Sequence, residues 1–265
     1  MSCFEARGAW NRLAGRIAGR PASRRLIPWF ARHYGVEWEA AVVPAEGFGS
    51  LQEFFCRALQ PGARPADPDA AVWVSPVDGR VGACGGIAGD RLIQAKGHEY
   101  SLAALVADAG LAGRYRGGQF CTLYLAPGDY HRVHAPATGE LRRAVRIAGR
   151  FHPVNPRAVH RIPGLFAGNE RLVLEMGAPG GEMVLVLVGA CLVGGIRLNH
   201  TPPVALQRGQ ELGRFEFGST VVVLAPPGAP VRLARGQGER VRVGEALMRP
   251  VAGAARPAGG PPAGH

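Results

Sequence analysis

The stretch Phe217-Gly218-Ser219-Thr220-Val221-Val222-Val223 leads from a polar segment (207–216) into an apolar, β-branched run. β-Branched side chains favour extended backbone, so this run predicts a buried strand entered at the Gly-Ser pair. Glycine leaves the carbonyl before the serine unshielded and tolerates strained dihedral angles. The serine hydroxyl could therefore attack that carbonyl, and elimination of the resulting ester would break the chain. The alternative is an ordinary turn that enters a strand.

The net charge of +11 comes almost wholly from arginine, because Lys96 is the only lysine. A balance this basic predicts an anionic partner such as nucleic acid, acidic lipid or a phosphorylated substrate. The chain shows no nucleic-acid reader motif, so we do not expect a nucleic-acid partner. The five cysteines are scattered and include no C-x-x-C pair, which is typical of reduced thiols in the cytosol.

The N-terminal region, residues 1–48, has the pattern of amphipathic helices at a membrane surface. Its first apolar face contains Trp10, Leu13, Ala14 and Ile17. The basic face beside it contains Arg12, Arg16 and Arg20. An ordinary surface helix packed on its own core is the alternative. We expect no signal peptide and no membrane span, because the most apolar segment, 183–195, is short and interrupted by glycines.

The rest of the chain predicts one mainly β domain, residues 49–250, followed by a disordered tail, residues 251–265. Helices are expected at 50–60, with Ser50 as the N-cap, and at 102–109. Strands are expected at 72–74, 118–125, 172–176, 183–193, 220–224 and 231–233. We therefore predict an α+β, mainly β fold with an antiparallel barrel or sandwich-like core and N-terminal amphipathic helices.

A serine that cleaves its own chain needs a base and a group that orients the base. The segment Asp129-Tyr130-His131-Arg132-Val133-His134 and the turn Ser75-Pro76-Val77-Asp78-Gly79 contain the candidates. In an extended segment the two histidines would point to opposite faces and have different roles. Each could instead be a hydrogen-bonded structural residue, and Asp78 a turn-capping one. We expect no metal site, since no third ligand lies at a familiar spacing.

These segments belong to an ordered series that resembles the bacterial, pyruvoyl-dependent phosphatidylserine decarboxylases over most of the chain. The series begins with Glu53-Phe54-Phe55-Cys56-Arg57-Ala58-Leu59, Arg64-Pro65, Ser75-Pro76-Val77-Asp78-Gly79 and Gln94-Ala95-Lys96-Gly97-His98-Glu99-Tyr100. It continues through Tyr124-Leu125-Ala126-Pro127-Gly128-Asp129-Tyr130-His131-Arg132-Val133-His134, Phe151-His152-Pro153-Val154-Asn155, Leu165-Phe166-Ala167-Gly168-Asn169-Glu170-Arg171 and Gly209-Gln210-Glu211-Leu212-Gly213-Arg214-Phe215. One departure is Phe217, where the family often has leucine.

The resemblance implies that Asp78, His134 and Ser219 form a self-cleavage triad. Cleavage between Gly218 and Ser219 would give a large chain, 1–218, and a small chain, 219–265, that stay together. Ser219 would become a covalent pyruvoyl group, which forms a Schiff base with phosphatidylserine and releases CO2 and phosphatidylethanolamine. His131 is our candidate proton donor. The resemblance also implies a peripheral enzyme at the cytoplasmic face of the cell membrane, with an anionic phospholipid as its substrate.

Two other functions remain open. A pyruvoyl-dependent decarboxylase of a soluble amino acid would share the Ser219 chemistry without needing a basic amphipathic N-terminus. A non-enzymatic carrier-like β domain is suggested by the segment 238–247, which resembles the turn of biotinyl and lipoyl carriers but contains no lysine. Lys96 could also be read as a pyridoxal-binding lysine, although a structural turn fits it better.

Overall fold

The computed structural model describes residues 17–95, 98–178, 181–190, 195–216 and 218–251. More of the described residues lie in antiparallel strands than in helices, and the helices are short. The predicted mainly β, α+β fold is therefore confirmed. The residues Trp10, Leu13 and Ala14, the lysine at 96, Phe217 and the tail beyond residue 251 lie outside the described residues.

The largest sheet has eight antiparallel strands. In spatial order they are β11 (Val204–Leu206), β7 (Gly139–Ile147), β8 (Arg171–Ala178), β9 (Gly181–Gly189), β13 (Ser219–Ala225), β5 (Gln119–Leu125), β2 (Gly79–Gly86) and β15 (Arg240–Val241). In the described part of the chain this sheet has two different edge strands, β11 and β15, so it is open. The core therefore resembles a sandwich and is not the closed barrel that the sequence left possible.

Three smaller sheets complete the β structure. Their strands, in spatial order, are β1 (Trp73–Val74), β16 (Ala246–Pro250) and β14 (Val231–Leu233); β10 (Ile196–Leu198), β12 (Glu211–Phe215) and β6 (Arg132–His134); and β3 (Arg91–Ala95) with β4 (His98–Ser101). The sheet of β10, β12 and β6 shares a hydrophobic cluster with the inner face of the large sheet through Val133 and Phe215. This contact places the histidine segment near the strand that begins at Ser219.

Strand β13 is central because both of its faces are covered. It pairs with β5 on one side and with β9 on the other, and all of its residues are buried. Val221 and Val223 lie in one core cluster, whereas Val222 and Leu224 lie in the other. Burying each such side chain stabilises the fold by about 1.5–3 kcal/mol. The β-branched run therefore fixes the position of the Gly-Ser pair at the start of a fully buried strand.

The helices are short and lie around the sheets. A 3₁₀ helix (Pro21–Leu26) precedes α1 (Ile27–Tyr34), α2 (Leu51–Phe55), α3 (Leu102–Val106), α4 (Ala109–Tyr115), α5 (Pro156–Arg161) and α6 (Leu165–Gly168). Helices α1 and α2 contribute to a separate apolar cluster that includes Ile27, Phe30 and Phe54, and the 3₁₀ helix lies against both. The predicted N-terminal helices are therefore packed, within the described residues, on the side of the domain where α2 begins.

Two predicted helices differ in length from the structure. The Ser50 hydroxyl accepts a hydrogen bond from the Glu53 amide, as expected of an N-cap, but α2 ends at Phe55 instead of residue 60. Residues 58 and 60 form backbone hydrogen bonds with residues 42 and 40, so the chain after α2 is extended. The helix predicted at 102–109 is interrupted by the left-handed residue Ala107, after which Asp108 caps α4.

Candidate active site

Ser219 is the first residue of β13 and is completely buried. It lies between Leu125 of β5 and Gly189 of β9 in the sheet register. Its hydroxyl oxygen has no hydrogen-bond partner among the described residues. An unpaired buried polar atom costs about 1–3 kcal/mol, and such atoms are rare in folded proteins. The side chain predicted to attack is therefore held without a competing hydrogen bond.

Asp78 follows β1 and precedes β2, on a turn that is almost completely buried. The Arg64 side chain contacts both carboxylate oxygens, with Nε at 3.1 and 3.0 Å and Nη2 at 2.6 Å from the nearer oxygen. The Val243 amide donates a further hydrogen bond of 2.8 Å to Oδ1. A side-on arginine and a backbone amide together fix the orientation of a carboxylate.

His134 ends β6, and both nitrogens of its ring are hydrogen-bonded. Nδ1 lies 2.7 Å from the Gly209 carbonyl oxygen, and Nε2 lies 3.0 Å from the Tyr130 hydroxyl. A carbonyl can only accept, so Nδ1 carries the proton and Nε2 accepts from Tyr130. Burial lowers the pKa of His134, and the Gly209 hydrogen bond partly opposes this effect. The ring is therefore held as the neutral tautomer with its basic nitrogen at Nε2.

The three predicted triad residues are not joined to one another by hydrogen bonds in the described residues. Within the described ranges, the ring of His134 bonds to neither Asp78 nor Ser219. Asp78 nevertheless acts on His134 through space, because its charge is one of the contributions that raise the pKa of the ring. The sequence-based assignment of Asp78 as the direct partner of the imidazole therefore remains a prediction.

His131 is fully buried and differs in environment from His134. Its Nδ1 lies 2.8 Å from the Asp129 carbonyl oxygen, and its ring lies 3.9 Å from the Phe55 ring, centroid to centroid. Nε2 has no hydrogen-bond partner in the part of the chain that the structure describes. Burial lowers the pKa of His131 to about 3, so the ring is neutral at neutral pH. Its Nε2 therefore holds a proton only weakly and, once protonated, gives that proton up readily.

A largely apolar cavity of about 440 Å³ extends from Gly218 to the N-terminal helices. Its inner wall includes Phe55, Tyr124 and Leu125, together with Val154 and Asn155 from one of the motifs that carry the family resemblance. Its outer rim is formed by Ile17, Leu26, Trp29 and Tyr34. Trp29 is 54% exposed and Leu26 is 48% exposed. The cavity therefore connects the predicted cleavage site with an exposed apolar surface.

A smaller polar pocket of about 260 Å³ lies beside this cavity. Asp78, Asp129 and Tyr130 line it together with five arginines: Arg57, Arg64, Arg80, Arg240 and Arg242. Tyr34 and Tyr124 line both the polar pocket and the apolar cavity. The charged pocket at Asp78 therefore adjoins the apolar cavity at Gly218. In the described residues, no group of three potential metal ligands is present.

The sequence did not assign a role to several residues that hold this site. Arg64 was noted only as part of a motif, and no local pattern connected it with Asp78. Tyr130 adjoins the candidate histidines, but the contact of its hydroxyl with His134 depends on the tertiary fold. Gly209 and Val243 act through backbone atoms, which leave no mark in side-chain chemistry. In the sequence, Gly209 stands out only as part of the motif 209–215, and Val243 only as part of the segment 238–247.

Known proteins are similar to this chain over most of its length. The family model described as phosphatidylserine decarboxylase matches residues 51–249. A phosphatidylserine decarboxylase proenzyme from Albidiferax ferrireducens is 43% identical, over 89% of this chain and 91% of the relative. Proenzymes of the same name from Delftia acidovorans and Anaeromyxobacter sp. are 42% and 41% identical, over 84% and 91% of this chain and 86% and 91% of the relatives. The chain belongs to the phosphatidylserine decarboxylase family.

Proposed function

We propose that this chain cleaves itself between Gly218 and Ser219 and then decarboxylates phosphatidylserine to phosphatidylethanolamine and CO2. The observation that carries the proposal is the buried hydroxyl of Ser219, which has no partner among the described residues. Ser219 begins β13 next to a glycine that lines the apolar cavity. The proenzyme names of the relatives support processing into two chains, 1–218 and 219–265.

In the cleavage step, the Ser219 hydroxyl oxygen attacks the Gly218 carbonyl carbon and its proton passes to Nε2 of His134. The peptide C–N bond then breaks, the proton is delivered to the leaving nitrogen, and an ester remains. Removal of the Ser219 α-proton expels the Gly218 carboxylate, and hydrolysis of the new N-terminus releases ammonia and leaves a ketone. Asp78 stabilises the positive charge that forms on the imidazole. Tyr130 gives up its bond to Nε2 during this step.

The site fits a pyruvoyl group at position 219. The group is no larger than serine, and the hydroxyl oxygen it replaces has no partner that would be lost in the described structure. When present, the pyruvoyl group supplies a conjugated carbonyl that takes up the electrons released with CO2. His131 then supplies the proton that the α-carbon needs, after its Nε2 has accepted one from the substrate amine; the lowered pKa of the ring favours the donation. Both proton transfers therefore use one buried nitrogen.

The membrane surface is the proposed route of the substrate. Trp29, Leu26 and Ile17 at the rim of the cavity are about half exposed, and Arg20, Arg24 and Arg25 lie beside them in the chain. Apolar side chains that flank arginines suit an anionic lipid interface. Among the described residues, no helix combines the length and the apolar character needed to span a bilayer. We therefore propose peripheral binding at the cytoplasmic face, with acyl chains entering over residues 17–34.

Intact-mass measurement of the purified protein tests the cleavage directly. We expect two fragments divided before residue 219, the smaller with a pyruvoyl end, and a single uncut chain for Ser219→Ala. Ser101→Ala, which removes a hydroxyl at the N-cap of α3, is the control and should be cut as the wild type is. An uncut wild type that still releases CO2 from phosphatidylserine would refute the proposal.

A second assay separates the proposed substrate from a soluble amino acid. Deletion of residues 1–35 should abolish binding to vesicles that contain phosphatidylserine and reduce decarboxylation of the lipid. A decarboxylase of free amino acids would keep its activity after this deletion. The carrier alternative predicts no CO2 from either substrate.

A further inference from the structure

We propose that Arg64 and the turn formed by residues 240–245 are a clamp that positions Asp78 for self-cleavage. The inference rests on the proposed cleavage before Ser219 and adds positioning residues to it. Arg64 and Asp78 precede the cleavage site, whereas the 240–245 turn follows it. The clamp therefore joins the future large chain to the future small chain.

The contacts of Asp78 come from these two segments. Arg64 binds the carboxylate side-on through Nε and Nη2, and the Val243 amide donates to the oxygen Oδ1 at 2.8 Å. The carboxylate is buried, so loss of either donor would leave a poorly satisfied charge inside the protein. A carboxylate held by an arginine fork and an amide has one orientation. Without them, we expect Asp78 to turn away from His134.

The 240–245 turn is itself fixed to both sides of Asp78. Strand β15 pairs with the first residues of β2, directly after Asp78. Before it, the Ser75 amide donates to the Glu245 carbonyl at 2.7 Å, and the Gly244 amide donates to the Ser75 carbonyl at 3.2 Å. These backbone bonds place the Val243 amide over the carboxylate.

Gly244 also fixes the turn against the loop that contains Arg64. Its φ is +87°, which favours glycine, and a Cβ at this position would lie 2.6 Å from the Pro65 carbonyl oxygen. The Asp67 amide donates to the Gly244 carbonyl at 2.8 Å. A side chain at 244 would therefore push the turn away from residues 64–67 and withdraw the Val243 amide from Asp78.

One consequence is a link between cleavage and the completion of folding. Asp78 obtains both donors only after the segment that follows the cleavage site has packed on β2. A chain that has formed β13 but not the 240–245 turn would not cut itself at a useful rate. The order of events therefore ensures that the small chain is already docked when the peptide bond breaks.

A pair of glycine substitutions tests the clamp in the full-length chain. Gly238 has the same φ of +87° as Gly244, but a Cβ there has no atom within 4 Å. Both substitutions carry the same backbone strain, and only Gly244→Ala displaces the turn. Withdrawal of the Val243 amide would leave the buried, charged carboxylate without one of its donors. We therefore expect Gly244→Ala to slow cleavage about tenfold or more, and Gly238→Ala to cleave within about twofold of the wild type.

The arginine is tested by Arg64→Gln and Arg64→Lys. Chains are made by cell-free translation, and the 1–218 fragment is followed by gel electrophoresis. We expect Arg64→Gln to cleave at least about tenfold more slowly and Arg64→Lys, which keeps the charge, to recover part of the rate. Thermal unfolding of each variant in a Ser219→Ala background measures stability apart from cleavage. If Gly244→Ala does not fold, the clamp is tested by the Arg64 variants alone: Arg64→Lys must cleave faster than Arg64→Gln.

The outcomes separate the clamp from the proposed function. If the wild type cleaves itself and Gly244→Ala and Arg64→Gln cleave at the same rate as the wild type, the clamp is overturned and the proposed function is not. Equal slowing by Gly244→Ala and Gly238→Ala would also overturn it, because strain and not the contact would then be responsible. An uncut wild type would overturn the proposed function, and the clamp with it.

Discussion

Substitution of Tyr130 by phenylalanine tests whether the neutral state of His134 controls self-cleavage. The Tyr130 hydroxyl donates to Nε2 of His134 at 3.0 Å, which stabilises the neutral ring and disfavours its protonated form. A hydrogen bond of this kind contributes about 0.5–1.5 kcal/mol. Because 1.36 kcal/mol corresponds to one pKa unit, its loss should raise the pKa of His134 by up to about one unit.

The sign of the effect follows from the role of His134 as a base. Burial lowers the pKa of His134, so the wild-type ring stays neutral to a lower pH than an exposed histidine. Cleavage by a neutral base is lost as the pH falls through this pKa. In Tyr130→Phe we expect the acidic limb to move to higher pH by up to about one unit. At higher pH the rate should be unchanged or increased, since Nε2 no longer has to leave the tyrosine.

The assay follows cleavage of newly translated chains after transfer to buffers between about pH 5 and 8, the range in which histidines titrate. Tyr115→Phe removes the hydroxyl of another buried tyrosine, in α4, and is the control. Its pH profile should match that of the wild type. An unchanged profile in Tyr130→Phe, or a limb that moves to lower pH, would refute the assignment of Nε2 as the base.

Three further predictions concern the proton donor, the membrane surface and a tight turn. His131→Ala should leave self-cleavage intact and abolish CO2 release, as shown by mass and gas measurement; loss of cleavage would contradict this division of roles. Trp29→Ser should weaken binding to anionic vesicles about tenfold, because burial of an aromatic side chain contributes more than about 1.4 kcal/mol. The control Ile93→Ser, at a surface residue that is 48% exposed, should leave vesicle binding unchanged. Gly79→Ala should lower the midpoint temperature of unfolding and slow cleavage, since its Cβ would lie 2.5 Å from a carbonyl oxygen of β5. The control Gly113→Ala in α4 has open space around the new Cβ and should change neither quantity.

The strands show how far local patterns describe this fold. The apolar runs at 72–74, 118–125 and 220–224 form strands in the structure, because a continuous apolar run is buried fully only where both sheet faces are covered. Strand β2, Gly79–Gly86, was not predicted, since its glycines and alternating exposure give no apolar run. Helix α2 is shorter than predicted because residues 58 and 60 form backbone hydrogen bonds with residues 42 and 40. Such partners are distant in sequence and override local propensity.

The amino-acid sequence by itself determined the family, the mainly β fold and the candidate residues Asp78, His131, His134 and Ser219, because each depends on residue type and order. Only the tertiary structure decided which groups hold them. The carboxylate of Asp78 is bound by Arg64 and by a backbone amide from the C-terminal turn, and the ring of His134 by a carbonyl and a tyrosine hydroxyl. Every residue except proline has the same backbone donor and acceptor. Which backbone group bonds to a given side chain therefore depends on which distant segment the tertiary fold places beside it.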